Sequence, residues 1–151
     1  MPGAGNATTL SSCPEVLEWL RSIHATTAWT TSVCTGSLIL GAAGILTGLC
    51  ATTHWAALDR LEILHAKPTK ARVVEDGKVI TAAGVSAGID MALILSSKIA
   101  GEQFAKAIQL GIEYDPNPPF DAGSPEKADP AIREALRTRI AARFEAIKEK
   151  G

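Results

Sequence analysis

Cys34 stands between a β-branched run and a run of small residues, in the stretch TTSVCTGSLIL of residues 30–40. Where a strand turns sharply into a helix, a nucleophile at the turn needs small neighbours two positions away on either side, because the backbone is tight. Ser32 and Gly36 are those neighbours. The turn would direct Cys34 toward the N-terminus of the next helix, where free N–H groups and the helix dipole stabilise a thiolate. The spacing therefore predicts a cysteine nucleophile that needs no dedicated base.

Cysteine is also a small residue that packs well in protein cores, and most cysteines have only that role. The strand, turn and helix predicted around Cys34 favour the nucleophile interpretation at this position. Cys13 lies at a helix start and Cys50 lies in an apolar run. Neither has a comparable context, so both are predicted to be structural.

His54 follows Cys34 by 20 positions, in the stretch ATTHWAAL, where the next helix is predicted to begin. A cysteine and a histidine can act together as nucleophile and base or acid. A histidine at a helix start is more often a structural hydrogen-bonding residue, so both roles stay open for His54. Thr35 places a hydroxyl beside the cysteine, although a threonine at a helix start usually caps the helix.

Composition and charge exclude several classes of function. The formal net charge of −1, without a run of like charges, gives no electrostatic footprint for nucleic acid or for an anionic membrane. The apolar stretch 38–51 is shorter than the roughly 20 residues of a membrane-spanning helix. Three cysteines without CxxC spacing indicate a reducing compartment, and the cytoplasm is predicted. No carboxylate pair or metal-ligand cluster is evident, so no metal or other cofactor is predicted.

The elements that must position these residues follow from hydrophobic spacing and from cap and turn residues. Ser12 and Glu15 form a capping box, which predicts a helix after it. The stretch 28–33 predicts a buried strand, and Asp76-Gly77 predicts a hairpin between two short strands. This order is typical of an α/β layered fold. Further helices are predicted over 35–46 (with Thr47-Gly48 as the stop), 55–64, 87–100 and 101–114, and the four prolines of residues 115–125 predict an irregular loop.

Two of the predicted helices carry apolar surface that other parts of the structure must cover. The helix over 87–100 has apolar residues around most of its circumference, which predicts burial, and Gly101 is its expected C-cap. The tail over 129–150 is predicted to be an amphipathic helix with Asp129 and Pro130 at its start. Its apolar stripe needs a partner surface, either the rest of the domain or a second subunit, and we expect a homodimer built partly on it. The stripe consists of Ile132, Leu136, Ile140, Phe144 and Ile147.

Four stretches resemble one known family. They are TSVCTGSLILGAAGILTG, ATTHWAAL, VITAAGVSAGIDMAL and IQLGIEYDPNPPFDAGSP. They are similar to the ThiJ/PfpI superfamily, and within it to the isonitrile hydratase group. The cysteine turn is shared by many branches of that superfamily, whereas the proline-rich arm is more specific to the hydratase-like group. The resemblance implies one domain over residues 1–151, with the flavodoxin-like layered α/β sandwich of the class I glutamine amidotransferase-like type.

The resemblance also implies roles for single residues. Cys34 matches the family's nucleophile. Thr35 matches the residue after it, whose backbone N–H and hydroxyl face the pocket in the family. His54 matches a histidine that many family members have near the cysteine. Gly3 and Ala4 match a Pro-Gly-Gly turn whose N–H groups help to form an oxyanion-type hole. Ala4 replaces the second glycine of that turn, which would cost binding or geometry if the position needs a positive φ.

The activity implied by the resemblance is the hydration of an isonitrile, a small-molecule substrate, to an N-substituted formamide. Family members have a βα portion ahead of the Pro-Gly-Gly turn, with central strands and an acidic residue that bonds the cysteine. This chain starts at the turn, and we therefore expect the βα portion to be absent. The sheet edges left open by its absence are expected to favour oligomerisation, strand exchange or low stability. The alternatives are a non-catalytic or redox-sensing regulatory domain, or another cysteine-dependent activity such as a peptidase or glyoxalase.

Overall fold

A computed structural model describes residues 1–3 and 7–148 of the chain. Within these residues helices and strands are mixed along the chain, so the α/β class predicted from the element order is confirmed. The helices are α1 (Ala7–Leu10), α2 (Pro14–Thr26), α3 (Gly36–Ala42), a 3₁₀ helix (Trp55–Ala57), α4 (Arg60–Ile63), α5 (Ala87–Ala100), α6 (Glu102–Gly111) and α7 (Pro130–Lys148). The strands are β1 (Thr30–Val33), β2 (Cys50–Ala51), β3 (Lys67–Pro68), β4 (Val73–Asp76) and β5 (Val79–Ala82).

The main sheet has the order β1-β5-β4. Strands β1 and β5 are parallel, and β4 is antiparallel to β5, with Asp76 opposite Val79. Gly77 in the turn has a φ of +60°, a conformation that glycine adopts without steric cost. The hairpin predicted from Asp76-Gly77 is therefore confirmed. A smaller parallel pair, β2 with β3, completes the strands of the described residues.

The first residues of the chain run along the free side of β1. The Met1 ammonium donates to the Thr31 carbonyl at 2.6 Å, and the Val33 N–H donates to the Met1 carbonyl at 3.1 Å. These two bonds are those of a parallel strand pair. They bring Pro2 and Gly3 to the end of β1, where the chain turns into α3.

The core is built around α3, which is buried from Gly36 to Gly41. Its residues are apolar or small on all sides, so it can pack between α1, α2, α4 and β1. Burial of each leucine or isoleucine side chain contributes roughly 1.5–3 kcal/mol. The largest fully buried apolar side chains are Ile39, Leu40, Leu46, Leu61 and Ile80.

Four of the predicted helices differ in their bounds. Helix α6 covers Glu102–Gly111 rather than 101–114. Helix α3 ends at Ala42 rather than near Leu46, because Gly44 adopts a φ of +79° and closes the helix before Thr47-Gly48 is reached. The N–H groups of residues 44 and 45 bond the carbonyls of residues 41 and 40, the pattern of a Schellman cap. The predicted helix over 55–64 is divided into the 3₁₀ helix and α4. Helix α2 has Cys13 rather than Ser12 at its N-cap.

The prediction that the helix over 87–100 is buried on all sides is wrong. Of its residues only Ala87 and Met91 are buried, whereas Ile94 is 39% exposed and Ile99 is 69% exposed. The helix packs on α6, β4 and β5, and several of its apolar side chains, among them Ile94 and Ile99, stay exposed. Its predicted end is confirmed, because Gly101 has a φ of +89° and its N–H bonds the Ser97 carbonyl.

The loop and the tail helix have the predicted local structure. Residues 112–129 contain neither helix nor strand, and α7 begins after Asp129, whose Oδ1 accepts from the Ala131 N–H at 2.7 Å. Ile140 packs against the core cluster, whereas Ile132 and Leu136 are exposed. The side chains of Phe144 and Ile147, and residues 149 and 150 of the predicted tail helix, lie outside the described residues.

Candidate active site

Cys34 occupies the turn between β1 and α3 with a φ of +58°. The left-handed region costs an L-residue roughly 1–2 kcal/mol, so a non-glycine residue remains there only where its surroundings hold it. The Cys34 N–H donates to the Ala82 carbonyl at 2.9 Å and continues the ladder between β1 and β5. The strand, turn and helix predicted around this cysteine are therefore present in the structure.

The carbonyl of Cys34 accepts bonds from two other segments of the site. The Ser37 hydroxyl, from the first turn of α3, donates to it at 3.1 Å, and the Thr53 hydroxyl donates to it at 2.9 Å. Thr53 comes from the segment after β2 and is itself buried. These bonds hold the backbone of Cys34 on both sides and explain how the left-handed conformation persists.

Gly3 lies directly against the cysteine turn. A Cβ atom at Gly3 would stand 2.9 Å from the Cys34 Cβ and 2.8 Å from the Thr35 Oγ1, closer than side-chain atoms normally approach. A Cβ at Gly36 would collide with the Met1 carbonyl. The structure thus brings Gly3, Cys34 and Thr35 together, and glycine at both positions is required by close packing. Ala4, the other predicted residue of this turn, lies outside the described residues.

His54 is half-buried and follows Thr53 directly. Its Nδ1 accepts a hydrogen bond from the Ala56 N–H at 3.3 Å, so the ring caps the 3₁₀ helix. Because Nδ1 is the acceptor, we assign the proton of the neutral ring to Nε2. Burial lowers the pKa of His54, which favours that neutral form at pH 7. The structural role considered for this histidine is observed, and its catalytic role stays a prediction.

The other two cysteines lie in different settings. Cys13 is the N-cap residue of α2, and its thiol donates to the Glu15 carboxylate at 3.2 Å. Cys50 is exposed, and its backbone N–H donates to Asp76 Oδ2 at 2.8 Å. Neither stands at a turn between a strand and a helix with a positive φ, as Cys34 does.

Two residues of the site were missed by sequence reasoning. The sequence pattern indicates Thr53 only as part of the stretch around His54, and Ser37 only as one position of the helix predicted over 35–46. The run of two threonines before His54 is the signal that could have indicated Thr53, because residues after a strand of a parallel pair lie at the edge where such sites form. Strand β2 has only two residues, which made that position hard to recognise.

Two kinds of feature are absent from residues 1–3 and 7–148. No group of three or more histidine, cysteine, aspartate or glutamate side chains there could hold a metal ion. None of the helices there combines the length and the apolar character that crossing a bilayer requires.

Comparison with known proteins matches residues 1–98 to the DJ-1/PfpI family. The chain is 48% identical over 141 residues to isonitrile hydratase of Pseudomonas putida, covering 93% of this chain and 62% of the hydratase. It is 35% identical over 94 residues to the HTH-type transcriptional regulator CdhR of Pseudomonas aeruginosa, covering 61% of this chain and 28% of the regulator. This chain therefore spans less than two thirds of the length of either relative.

Solved structures show the same fold. A ThiJ/PfpI family protein from Pseudomonas syringae superposes with a TM-score of 0.91 at 41% identity, over 96% of this chain and 60% of that one. The DJ-1beta protein of Drosophila melanogaster superposes with a TM-score of 0.65 at 22% identity, over 74% of this chain and 60% of that one. At this lower identity the similarity concerns the fold alone.

Proposed function

The chain belongs to the DJ-1/PfpI family, and from that premise we propose that it is an isonitrile hydratase-like lyase with Cys34 as its nucleophile. The observation that supports the proposal best is a cysteine held at a φ of +58° between a strand and a helix, in a chain so similar to isonitrile hydratase. A thiolate is a strong nucleophile.

The first chemical step is addition to the isonitrile R–N≡C. The Cys34 thiolate attacks the terminal carbon, a C–S bond forms, and the carbon takes up a proton to give the thioimidate R–N=CH–S–Cys34. In the second step water adds to this carbon. The C–S bond then breaks, the thiolate leaves, and proton transfer gives the N-substituted formamide R–NH–CHO. The sum is one isonitrile and one water per formamide.

The remaining predicted residues have supporting roles in this proposal. Backbone N–H groups of Gly3 and Thr35 stabilise negative charge that develops as the thiolate adds and as water attacks. The proton comes from His54 in its protonated form or from water, because the N–H of a neutral imidazole is too weak an acid to supply it. The support for this set is the packing of Gly3 against Cys34 and Thr35, and the bond from Thr53, the neighbour of His54, to the Cys34 carbonyl.

A second candidate function is favoured by the similarity to the regulator CdhR. In this interpretation the domain is a non-catalytic or redox-sensing regulatory unit, and Cys34 is oxidised rather than used in turnover. Helix α7 is a single helix rather than a helix-turn-helix, which favours the lyase over a DNA-binding role for this segment. We further propose a cytoplasmic homodimer that acts on a small molecule.

The test is formamide production from a simple alkyl isonitrile, followed by chromatography with the wild-type chain, Cys34→Ala and Cys50→Ala. We expect formamide from the wild type and from Cys50→Ala, and a loss of at least about a hundredfold in Cys34→Ala, because the covalent step is removed. A full rate in Cys34→Ala would make the nucleophile assignment wrong. A silent wild type whose Cys34 oxidises readily in dilute peroxide would instead favour the regulatory candidate.

A further inference from the structure

A cavity of about 530 Å³ lies beside the cysteine turn and is not lined by Cys34. Its walls come from the segments after β2, β3 and β5, from the irregular arm and from α7. Its volume falls within the range of about 300–1,000 Å³ that is typical of small-molecule pockets. We call it the basic cavity, after the three basic residues that line it, Lys70, Arg72 and Arg137.

The three basic residues reach the cavity from two parts of the chain, Lys70 and Arg72 from the segment between β3 and β4 and Arg137 from α7. Glu126 is the one acidic residue among the lining residues. Arg72 is fixed in direction, because its Nε donates to Asp90 Oδ2 at 2.5 Å. The Tyr114 hydroxyl donates to Asp90 Oδ1 at 2.6 Å and holds that carboxylate in place. A guanidinium oriented in this way loses less freedom when it binds a ligand.

The other two basic residues have no carboxylate partner among the described side chains. No ion pair within 4 Å is formed by Lys70 or Arg137 in this part of the chain. The Arg137 guanidinium lies 5.6 Å from the centre of the Trp55 ring, a contact that orients it without neutralising its charge. Asp90 pairs with Arg72. Local hydrogen bonds, and then the charge of Lys70, lower the pKa of Glu126. Three basic residues thus face two carboxylates, and Arg137 has no described carboxylate within ion-pair distance.

Trp55, Leu58 and Pro125 give the wall a large apolar surface. Hydroxyl-bearing side chains also line the cavity, namely Thr52, Thr53, Ser86 and Ser124. Inorganic phosphate would leave these surfaces in contact with water, and a divalent cation would be repelled by the basic residues. A molecule with a hydrocarbon body and one carboxylate satisfies both halves of the lining, because arginine binds carboxylates with paired hydrogen bonds.

We propose that the basic cavity binds a small organic carboxylate, with its hydrocarbon part on the apolar wall and its carboxylate on Arg72, Arg137 and Lys70. Binding of a carboxylate in this cavity does not require the proposed isonitrile reaction at Cys34. Thr53 both lines the cavity and bonds the Cys34 carbonyl, so the cavity adjoins the cysteine turn. The carboxylate belongs either to the molecule that reacts at Cys34 or to a separate small effector.

The experiment is calorimetric titration of the full chain with cyclohexanecarboxylate, with its uncharged amide, and with inorganic phosphate. We expect the carboxylate to bind at least about tenfold more tightly than either of the other two, because only it matches both the charge and the apolar wall. Arg137→Gln and Lys70→Gln should each weaken carboxylate binding about fivefold to tenfold. Arg139→Gln, an exposed charge two positions along the same helix that does not line the cavity, should leave binding unchanged.

Several outcomes would overturn the proposal. The proposal is wrong if the wild type does not bind the carboxylate, or if the amide or phosphate binds as tightly as the carboxylate. It is also wrong if Arg139→Gln weakens carboxylate binding as much as Arg137→Gln and Lys70→Gln do. Circular dichroism of each variant shows whether a loss of binding reflects a loss of fold, and two separate substitutions keep the test decisive if one variant is unstable. In a second arm, iodoacetamide labelling of Cys34 is measured with and without the carboxylate. Protection assigns the carboxylate to the reacting molecule, and unchanged labelling assigns it to a separate effector.

Discussion

At the scale of the residue, Cys34 combines an unfavourable backbone conformation with tight anchoring. The ladder bond to Ala82 and the donors on the Cys34 carbonyl come from β5, α3 and the segment after β2. These contacts involve the backbone of Cys34, so its side chain can be changed without breaking them. The backbone strain and the chemistry of the thiol are therefore separable by substitution.

We predict that Cys34→Gly raises the free energy of unfolding by up to about 1 kcal/mol, because glycine removes the steric cost of the positive φ. Cys34→Ala keeps a Cβ and should leave the free energy of unfolding nearly unchanged. Urea denaturation of the two variants and the wild type measures the difference. A less stable Cys34→Gly than Cys34→Ala would mean that the turn is not strained.

A second prediction concerns pH and His54. Burial lowers the pKa of its folded form below the ordinary value of 6.5, so the unfolded chain binds the proton first as the pH falls. The stabilisation from a neutral His54 is thus complete above about pH 6.5 and declines below it. The urea concentration at the unfolding midpoint should decrease when the pH is lowered from 7.5 to 5.5. The decrease should be smaller in His54→Gln, whose side-chain oxygen can still accept a hydrogen bond from the Ala56 N–H.

His24 contributes in the same direction, because burial and then the charge of Lys78 lower its pKa. Some pH dependence should therefore remain in His54→Gln and decrease further when His24→Gln is added. An identical slope in the wild type and in His54→Gln would contradict the assigned environment of His54.

At the scale of the element, local signals determine where segments begin and end. Gly101 ends α5 and Asp129 begins α7 as predicted, since each effect depends on one residue and the backbone beside it. How far a helix is buried depends on elements from distant parts of the chain, and the predicted burial of α5 is wrong. Its apolar circumference predicts burial only when neighbouring elements exist on every side.

Asp129 offers a test at this scale. Its Oδ1 accepts from the N–H groups of Ala131 at 2.7 Å and Ile132 at 3.4 Å, so Asp129→Ala should cost about 1 kcal/mol of helix stability. Asp129→Asn keeps an acceptor and should cost less. Thermal melting followed by circular dichroism at 222 nm measures the effect.

Asp115→Ala removes a similar charge from the exposed arm and serves as the matched control. An equal loss in Asp115→Ala and Asp129→Ala would show that net charge, rather than the cap, is responsible.

At the scale of the whole molecule, apolar residues remain on the surface of the described chain. Helix α7 exposes Ile132 by 57% and Leu136 by 43%, and further large apolar side chains are exposed on α5 and α6. Contiguous exposed apolar surface is typical of sites of association. The homodimer expected from the amphipathic tail therefore stays a prediction with a specific surface to test.

We predict that the chain sediments as a dimer in analytical ultracentrifugation and that Leu136→Glu shifts it toward the monomer, because a buried charge without a partner opposes association. Thr138→Glu places the same charge at another exposed position of α7 and should leave the dimer intact. A wild-type monomer at micromolar concentration, or equal dissociation of both variants, would contradict an interface at Leu136.

The sequence by itself determined the α/β class, the hairpin at Gly77, the cap at Asp129 and the turn at Cys34. The hairpin and the cap depend on the backbone preferences of a few consecutive residues. The turn at Cys34 is indicated by the small residues around it, although bonds from β5, α3 and the segment after β2 hold its positive φ.

Only the tertiary structure decided that Thr53 bonds Cys34, that apolar side chains of α5 stay exposed, and that Lys70, Arg72 and Arg137 line one cavity. Residues so far apart in the chain meet only through the packing of the elements between them. That packing follows from the burial of the whole set of apolar side chains, and a local pattern does not contain it.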